Sequence, residues 1–285
     1  RGRMATTISQ EFEEMRFTIK ADGMGLNYGS VSFDEFYYRY TNNTTEIRAG
    51  RFQETIEVLS NAERSQFRFQ SNVNFIHWSD GLFIKHHLND EWFLESVTEY
   101  QHRGHTTYPY RFPLNFEKKP NNFTFYNSVE NRKRDRFNII QKGIGLFYVP
   151  GGYFKPGGFS DYVALTSRIV FDFPAVDLLS GGSFRLAGEY GQNLNAKFKD
   201  GSSLVASAGL YNVGDRHEFM VEFAKTDPEW LTATVFAPDA DEVEFRYRIF
   251  LTNAFNLDFR YRIRNFRNDV LPNAYSTFMR ATYSF

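Results

Sequence analysis

The chain has no cysteine, only 9 prolines in 285 residues and no run of 18 or more apolar residues. Without cysteine there is no disulfide and no thiolate metal site, although this leaves the compartment open. Without a long apolar run there is no transmembrane helix, so any crossing of a bilayer falls to strands. Net charge is scarce as well, since 33 Lys and Arg stand against 34 Asp and Glu for a formal balance of -1. That leaves neither the basic footprint of a nucleic-acid binder nor an acidic tail, and nucleic acid is not expected as a partner. Arg1 to Thr7 lacks the apolar core of a signal peptide, so an exported protein would be represented here by its mature chain. What is plentiful is aromatic residues, 18% of the chain with 32 Phe and 17 Tyr, within a mean hydropathy that is nonetheless polar. Strands that alternate aromatic and charged residues reconcile the two.

The alternation is cleanest over Glu242 to Phe285. In a first strand Val243, Phe245, Tyr247, Ile249 and Leu251 share one face, while Glu242, Glu244, Arg246 and Arg248 share the other. After a tight Thr252-Asn253-Ala254 connection, Phe255, Leu257, Phe259, Tyr261 and Ile263 oppose Asn256, Asp258, Arg260, Arg262 and Arg264. A third strand sets Tyr275, Thr277, Met279, Ala281, Tyr283 and Phe285 against Ser276, Arg280, Thr282 and Ser284. Two environments fit such faces. In a soluble sheet the apolar face is the core; in a membrane barrel it meets lipid and the charged face lines a wet lumen.

The same pattern runs through the chain. Met15, Phe17, Ile19 and Ala21 alternate with Arg16, Thr18, Lys20 and Asp22, and Val31 to Thr41 is an aromatic strand. Asn42 to Thr45 is a polar turn, and Glu46 to Phe52 returns as a strand. Glu54 to Glu63 reads as a short helix as readily as loop or strand. Gln66 to His77 alternates, Ser79-Asp80-Gly81 signals a turn, and Leu82 to Leu88 with Trp92 to Gln101 makes a hairpin closed by Asn89-Asp90. His102 to Asn122 and Pro150 to Ser160 read as long loops on either side of strands at Phe123 to Val129 and Phe137 to Val149. Further strands are expected at Tyr162 to Phe173, Phe184 to Tyr190, Leu204 to Asn212, Glu218 to Lys225 and Trp230 to Phe236. The total is about sixteen strands, within a range of roughly fourteen to eighteen, in one domain spanning residues 1–285.

The segment from Val31 through the Asn42 to Thr45 turn to Gly50-Arg51-Phe52 resembles the N-terminal part of Gram-negative outer-membrane porins. Leu186 to Ala196 and Gly209-Leu210-Tyr211 resemble later porin strands, and the aromatic tail at Tyr283 and Phe285 resembles the C-terminal insertion signal of outer-membrane proteins. The resemblance implies an all-β, transmembrane, antiparallel up-and-down β-barrel in the bacterial outer membrane. It further implies a porin passing ions and small hydrophilic solutes, with outer-membrane lipid around it and a homotrimer as its assembly. Phe285 would then lie at the periplasmic rim. Counting strands back from there puts His102 to Asn122 and Pro150 to Ser160 on the periplasmic side, where short turns belong.

The expected pore-lining set is Arg16, Lys20, Arg48, Arg68, Glu95, Glu99, Arg168, Arg185, Glu189, Glu218, Glu222, Glu244, Arg246, Arg248, Asp258, Arg260, Arg262, Arg264 and Arg280. Opposed charges across a lumen set ion preference, and the arginine surplus of the last strands predicts a mild preference for anions. The plainer reading is that neighbouring Glu and Arg neutralise one another to hold the wall together. Arg103, Arg111, Lys118 and Lys119 belong to a segment that reads equally as a constriction folded into the lumen or as a surface loop. No cofactor, metal site or catalytic group is expected. His102 and His105 have the spacing for a small site, whereas the adjacent His86 and His87 point to opposite faces of a strand and do not both ligate easily. Ser79 beside His77 lacks a base and an oxyanion hole. Asp239, Asp241 and Glu242 form a solvated acidic turn more readily than a calcium site. A non-conducting barrel acting as adhesin, scaffold or enzyme is the first alternative, and a soluble ligand-binding β-sandwich or barrel the second.

Overall fold

The computed structural model describes residues 7–11, 15–22, 25–33, 36–54, 76–100, 123–155, 158–174, 181–196, 200–230, 239–268 and 271–283. Among them are sixteen strands and no helix: β1 (Thr7–Glu11), β2 (Met15–Asp22), β3 (Gly25–Phe33), β4 (Phe36–Thr41), β5 (Thr45–Glu54), β6 (Ile76–His87), β7 (Trp92–Tyr100), β8 (Phe123–Asn131), β9 (Ile139–Lys155), β10 (Gly158–Pro174), β11 (Ser183–Asn193), β12 (Ser202–Val213), β13 (His217–Thr226), β14 (Ala240–Phe250), β15 (Phe255–Phe266) and β16 (Ala274–Tyr283). The chain divides into two compact units, one of residues 1–55, 76–129 and 147–162, the other of residues 56–75, 130–146 and 163–285.

In the first unit β1, β4, β5, β6 and β7 pair antiparallel in that order. β2 and β3 form a two-stranded sheet of their own. In the second unit β10 to β16 pair antiparallel in strict chain order. Tight turns explain part of this. Asn42 Oδ1 accepts from the N–H of Thr44 at 2.9 Å and of Thr45 at 2.7 Å. Asn89 Oδ1 does the same for Glu91 and Trp92, both at 2.9 Å. Each asparagine thereby supplies the acceptor that reverses the chain. Between β12 and β13 the reversal uses Asn212, Gly214 and Asp215 at φ 55, 56 and 60°, the left-handed region that these three residue types enter most readily.

Three expectations are corrected. Ser79-Asp80-Gly81 is not a turn, because β6 runs straight through it with Gly81 paired to Gly50 and Asp80 to Arg51. Pro150 to Ser160 is not a loop, since β9 continues to Lys155 and β10 begins at Gly158. Turn-forming composition here therefore falls at the ends of two strands of 17 residues each. Finally, β13 pairs directly with β14, so no strand over Trp230 to Phe236 stands between them in the ladder; Trp230 lies outside any strand, and 231–236 fall outside the described residues. The segments 55–63 and 101–122, with His102 and His105, and most of Gln66 to His77 fall outside the described residues.

The faces of the second unit are inverted relative to a protein in water. On β13, Glu222 is 1% exposed while Phe219 and Val221 are 46% and 44% exposed. On β15, Asp258 and Arg260 are 0% and 6% exposed, and Tyr261 is 41% exposed. Charged side chains are the residues least often buried, and here they form the interior row while aromatics face outward. The outward rings stack across strands, Phe219 to Tyr247 at 4.8 Å and Tyr247 to Phe259 at 6.2 Å between centroids. Phe171, Phe173 and Phe184 continue such a stack on β10 and β11. Rows of this kind match the aromatic girdles of membrane barrels.

Candidate functional site

Because partners across an antiparallel ladder share a face, the register of β13 to β16 lines up the charges in rows. Glu218, Arg248, Asp258 and Arg280 form one row, and Arg246 with Arg260 lies in the next. Glu222, Glu244 and Arg262 follow, then Glu242 and Arg264. Asp258 is the hub. Its Oδ2 accepts from Arg246 Nη2 at 2.6 Å, Arg248 Nη2 at 3.2 Å and Arg260 Nη2 at 3.2 Å. Arg248 reaches on to Glu218 at 3.1 Å. Arg262 pairs with Glu244 at 2.6 Å and Arg264 with Glu242 at 2.9 Å. Such charge-assisted bonds are the strong kind, and burial without them would be prohibitive.

A second cluster lies nearer β8. Arg168 on β10 meets Glu130 at 2.8 Å with both side chains fully buried, and Arg132 joins Glu130 at 3.1 Å. Asp172 accepts from Arg185 Nε at 2.8 Å and is also bonded by Arg134, whose Nη1 donates to the Asp172 carbonyl at 2.6 Å. Glu189 is buried opposite Arg168 in the β10/β11 register.

In the first unit the buried face is built differently. Glu46 binds Arg39 at 2.8 Å and Arg48 at 2.7 Å. Arg48 then lies over the Phe83 ring at 4.7 Å, and Lys85 over Phe93 at 4.2 Å. Tyr37, Phe83, Phe93, Glu95 and Val97 are all buried on that face.

Of the expected pore-lining residues, Arg48, Glu95, Arg168, Arg185, Glu189, Glu218, Glu222, Glu244, Arg246, Arg248, Asp258, Arg260, Arg262, Arg264 and Arg280 are buried or half-buried on these faces. Glu99 lies on β7, while Arg16 and Lys20 lie on β2, in the separate β2/β3 sheet rather than in the main ladder. Arg68, Arg103, Arg111, Lys118, Lys119 and Phe285 fall outside the described residues, whereas Tyr283 is exposed on β16. Sequence reasoning missed Glu46, Glu130, Asp172 and Glu242 as members of the networks. Glu130 had a usable signal, since Tyr126, Ser128 and Glu130 alternate on the buried face of β8.

At the connections, two carboxylates are held below their ordinary range. Burial pushes Asp227 up, but hydrogen bonds from Ser202 and Arg267 outweigh it. For Asp135 desolvation likewise raises the value, and Lys142 with the Phe137 and Ile139 N–H groups prevails. At the acidic turn Arg267 Nε lies 4.0 Å from Asp239 and 3.8 Å from Asp241, so a side-chain cation already faces both carboxylates. Among the described residues no group of His, Asp and Glu is arranged to hold a metal.

An up-and-down antiparallel ladder with charges inside and aromatics outside is the organisation of an outer-membrane β-barrel. No family model and no curated protein matches the chain. Among solved structures it is similar to OpdQ of Pseudomonas aeruginosa, with a TM-score of 0.62 and 11% identity over 100% of this chain and 77% of that one. It is also similar to OccD3 (OpdP) of Pseudomonas aeruginosa, with a TM-score of 0.53 and 11% identity over 83% of this chain. The chain spans 59% of the length of OccD3. Both are outer-membrane porins of the OprD family, and the chain has their barrel fold.

Proposed function

We propose that the protein is a porin of the bacterial outer membrane, a single barrel domain that lets ions and small hydrophilic solutes diffuse passively and catalyses no reaction. The observation that carries this reading is the inversion itself: guanidinium and carboxylate groups line the interior of β13 to β16 behind an apolar wall. Such an interior is that of a membrane barrel, and a water-filled channel is its commonest use. The likeness in fold to outer-membrane porins supports it. On inward positions of β13 to β16 six arginines stand against five carboxylates, Glu218, Glu222, Glu242, Glu244 and Asp258. That surplus supports a mild anion preference, softened by the pairing of most of these charges.

Reconstitution into a planar bilayer tests the proposal. Stepwise conductance with a reversal potential shifted mildly toward anions is expected, and trimers would appear as steps in threes. Protein that inserts, shows heat-modifiable migration and never conducts would overturn the porin reading. Strong cation selectivity would overturn only the anion preference.

A further inference from the structure

The connection between β8 and β9 differs in charge from the other short turns of the second unit. Of the five residues from Arg132 to Arg136 four are basic, with Asp135 the one acid among them. The 214–216 and 251–254 turns have a single basic residue between them, Arg216. The β8–β9 turn is also firmly built. Asp135 Oδ1 accepts from the N–H groups of Phe137 at 2.8 Å and Ile139 at 3.1 Å, and the Asp135 N–H donates to the Ile139 carbonyl at 2.9 Å. Asn138 closes it at φ 62°.

Most cations of this turn are engaged within the protein. Arg132 binds Glu130, Arg134 binds Asp172, and Lys142 binds Asp135 at 3.1 Å. Arg136 differs from them. Among the described residues no carboxylate pairs with it, and its guanidinium lies over the Phe137 ring at 4.6 Å. Lys133 and Arg136 are both exposed, and Phe137 is 58% exposed. The Asp172 N–H donates to the Asn138 carbonyl at 2.9 Å, which sets the turn beside the last residues of β10. Strict alternation of β10 to β16 puts that end together with the short 251–254 turn, the periplasmic end of an outer-membrane barrel. On the outward face at this end Phe171, Phe173 and Phe184 stack as a girdle of the kind that marks the lipid headgroup level. A cation lying on an exposed ring beside such a girdle stands at the level of the lipid phosphates.

We propose that the Arg132 to Phe137 turn is a binding site for the phosphate of an anionic phospholipid, held by Arg136 and Lys133 while Phe137 enters the apolar edge of the bilayer. The inference goes beyond the porin reading. It rests on the barrel standing in a membrane and holds whether or not the lumen conducts.

The test uses the full chain folded in a nonionic detergent, with native mass spectrometry counting the lipid retained from phosphatidylglycerol or phosphatidylcholine. The parent should retain phosphatidylglycerol in strong preference to phosphatidylcholine. Lys133→Gln combined with Arg136→Gln should weaken that retention about thirtyfold, the effect of two basic side chains beside an anionic headgroup. Arg216→Gln, which removes an exposed arginine at the same end, should leave it unchanged. Heat-modifiable migration verifies that each variant is folded. Equal retention of the two lipids by the parent would overturn the proposal without needing any variant. An equal loss in Arg216→Gln would overturn it too, by making the effect one of overall charge. Displacement of the lipid by inorganic phosphate or by polyglutamate at equal concentration would overturn the lipid as occupant in favour of a free anion or an acidic protein segment. The porin reading survives all of these results and fails only if bilayer conductance is absent.

Discussion

The buried faces of β4 to β7 and of β13 to β16 solve one problem in two ways. Both must place cations away from bulk water. The first spreads them over aromatic rings, with Arg48 on Phe83 and Lys85 on Phe93, and needs few carboxylates. The second gathers Arg246, Arg248 and Arg260 around one carboxylate, Asp258. A ring offers a diffuse, forgiving partner worth about 0.5–2 kcal/mol, and a shared carboxylate offers a stronger one whose loss is felt by every cation it serves.

The sharpest way to break that comparison is to remove each hub. Asp258→Ala leaves three buried guanidinium groups facing one another and should cost about 3–5 kcal/mol in urea unfolding of the folded barrel. Glu46→Ala, on a less buried pair of arginines, should cost about 1 kcal/mol. Equal losses would mean that the two faces are not distinct in kind. Next in size is Phe83→Leu, which keeps the bulk but removes the ring beneath Arg48, and about 1 kcal/mol is expected from the same measurement. The smallest effect concerns the Asp227 tie, whose folded-state carboxyl is held below its ordinary value. Its contribution is present above about pH 4, the unfolded value, and is lost as pH falls through the lower folded value. Unfolding midpoints of Asp227→Asn measured across that window should fall less with acid than those of the parent.

The strands most legible in the sequence are those where each residue's face is decided by its neighbours two positions away. From Glu242 to Ile249 and from Phe255 to Arg264 polar and apolar residues alternate, with Phe250 the exception after the first run, so alternation alone assigns Asp258 and Arg260 to the charged face that the fold turns inward. Local turn chemistry misleads where long-range pairing overrides it. Gly81 has the character of a turn corner, yet it pairs with Gly50 in the middle of a ladder. Trp230 resembles the start of a strand because it opens an apolar run, and only the direct pairing of β13 with β14 shows otherwise. Periodicity also assigns a face without assigning a partner, which is why Arg168 and Arg185 are legible as interior residues while their pairing with Glu130 and Asp172 is not.

The hub at Asp258 carries a consequence for how the protein is assembled. Two of its three arginines come from β14 and the third from β15, and the connection between these strands is only residues 251–254. The hairpin therefore brings its own counter-ions, close in sequence and cheap to bring together. It can neutralise much of its interior face before any other strand has docked, which suits this hairpin to serve as the seed on which the remaining wall is laid.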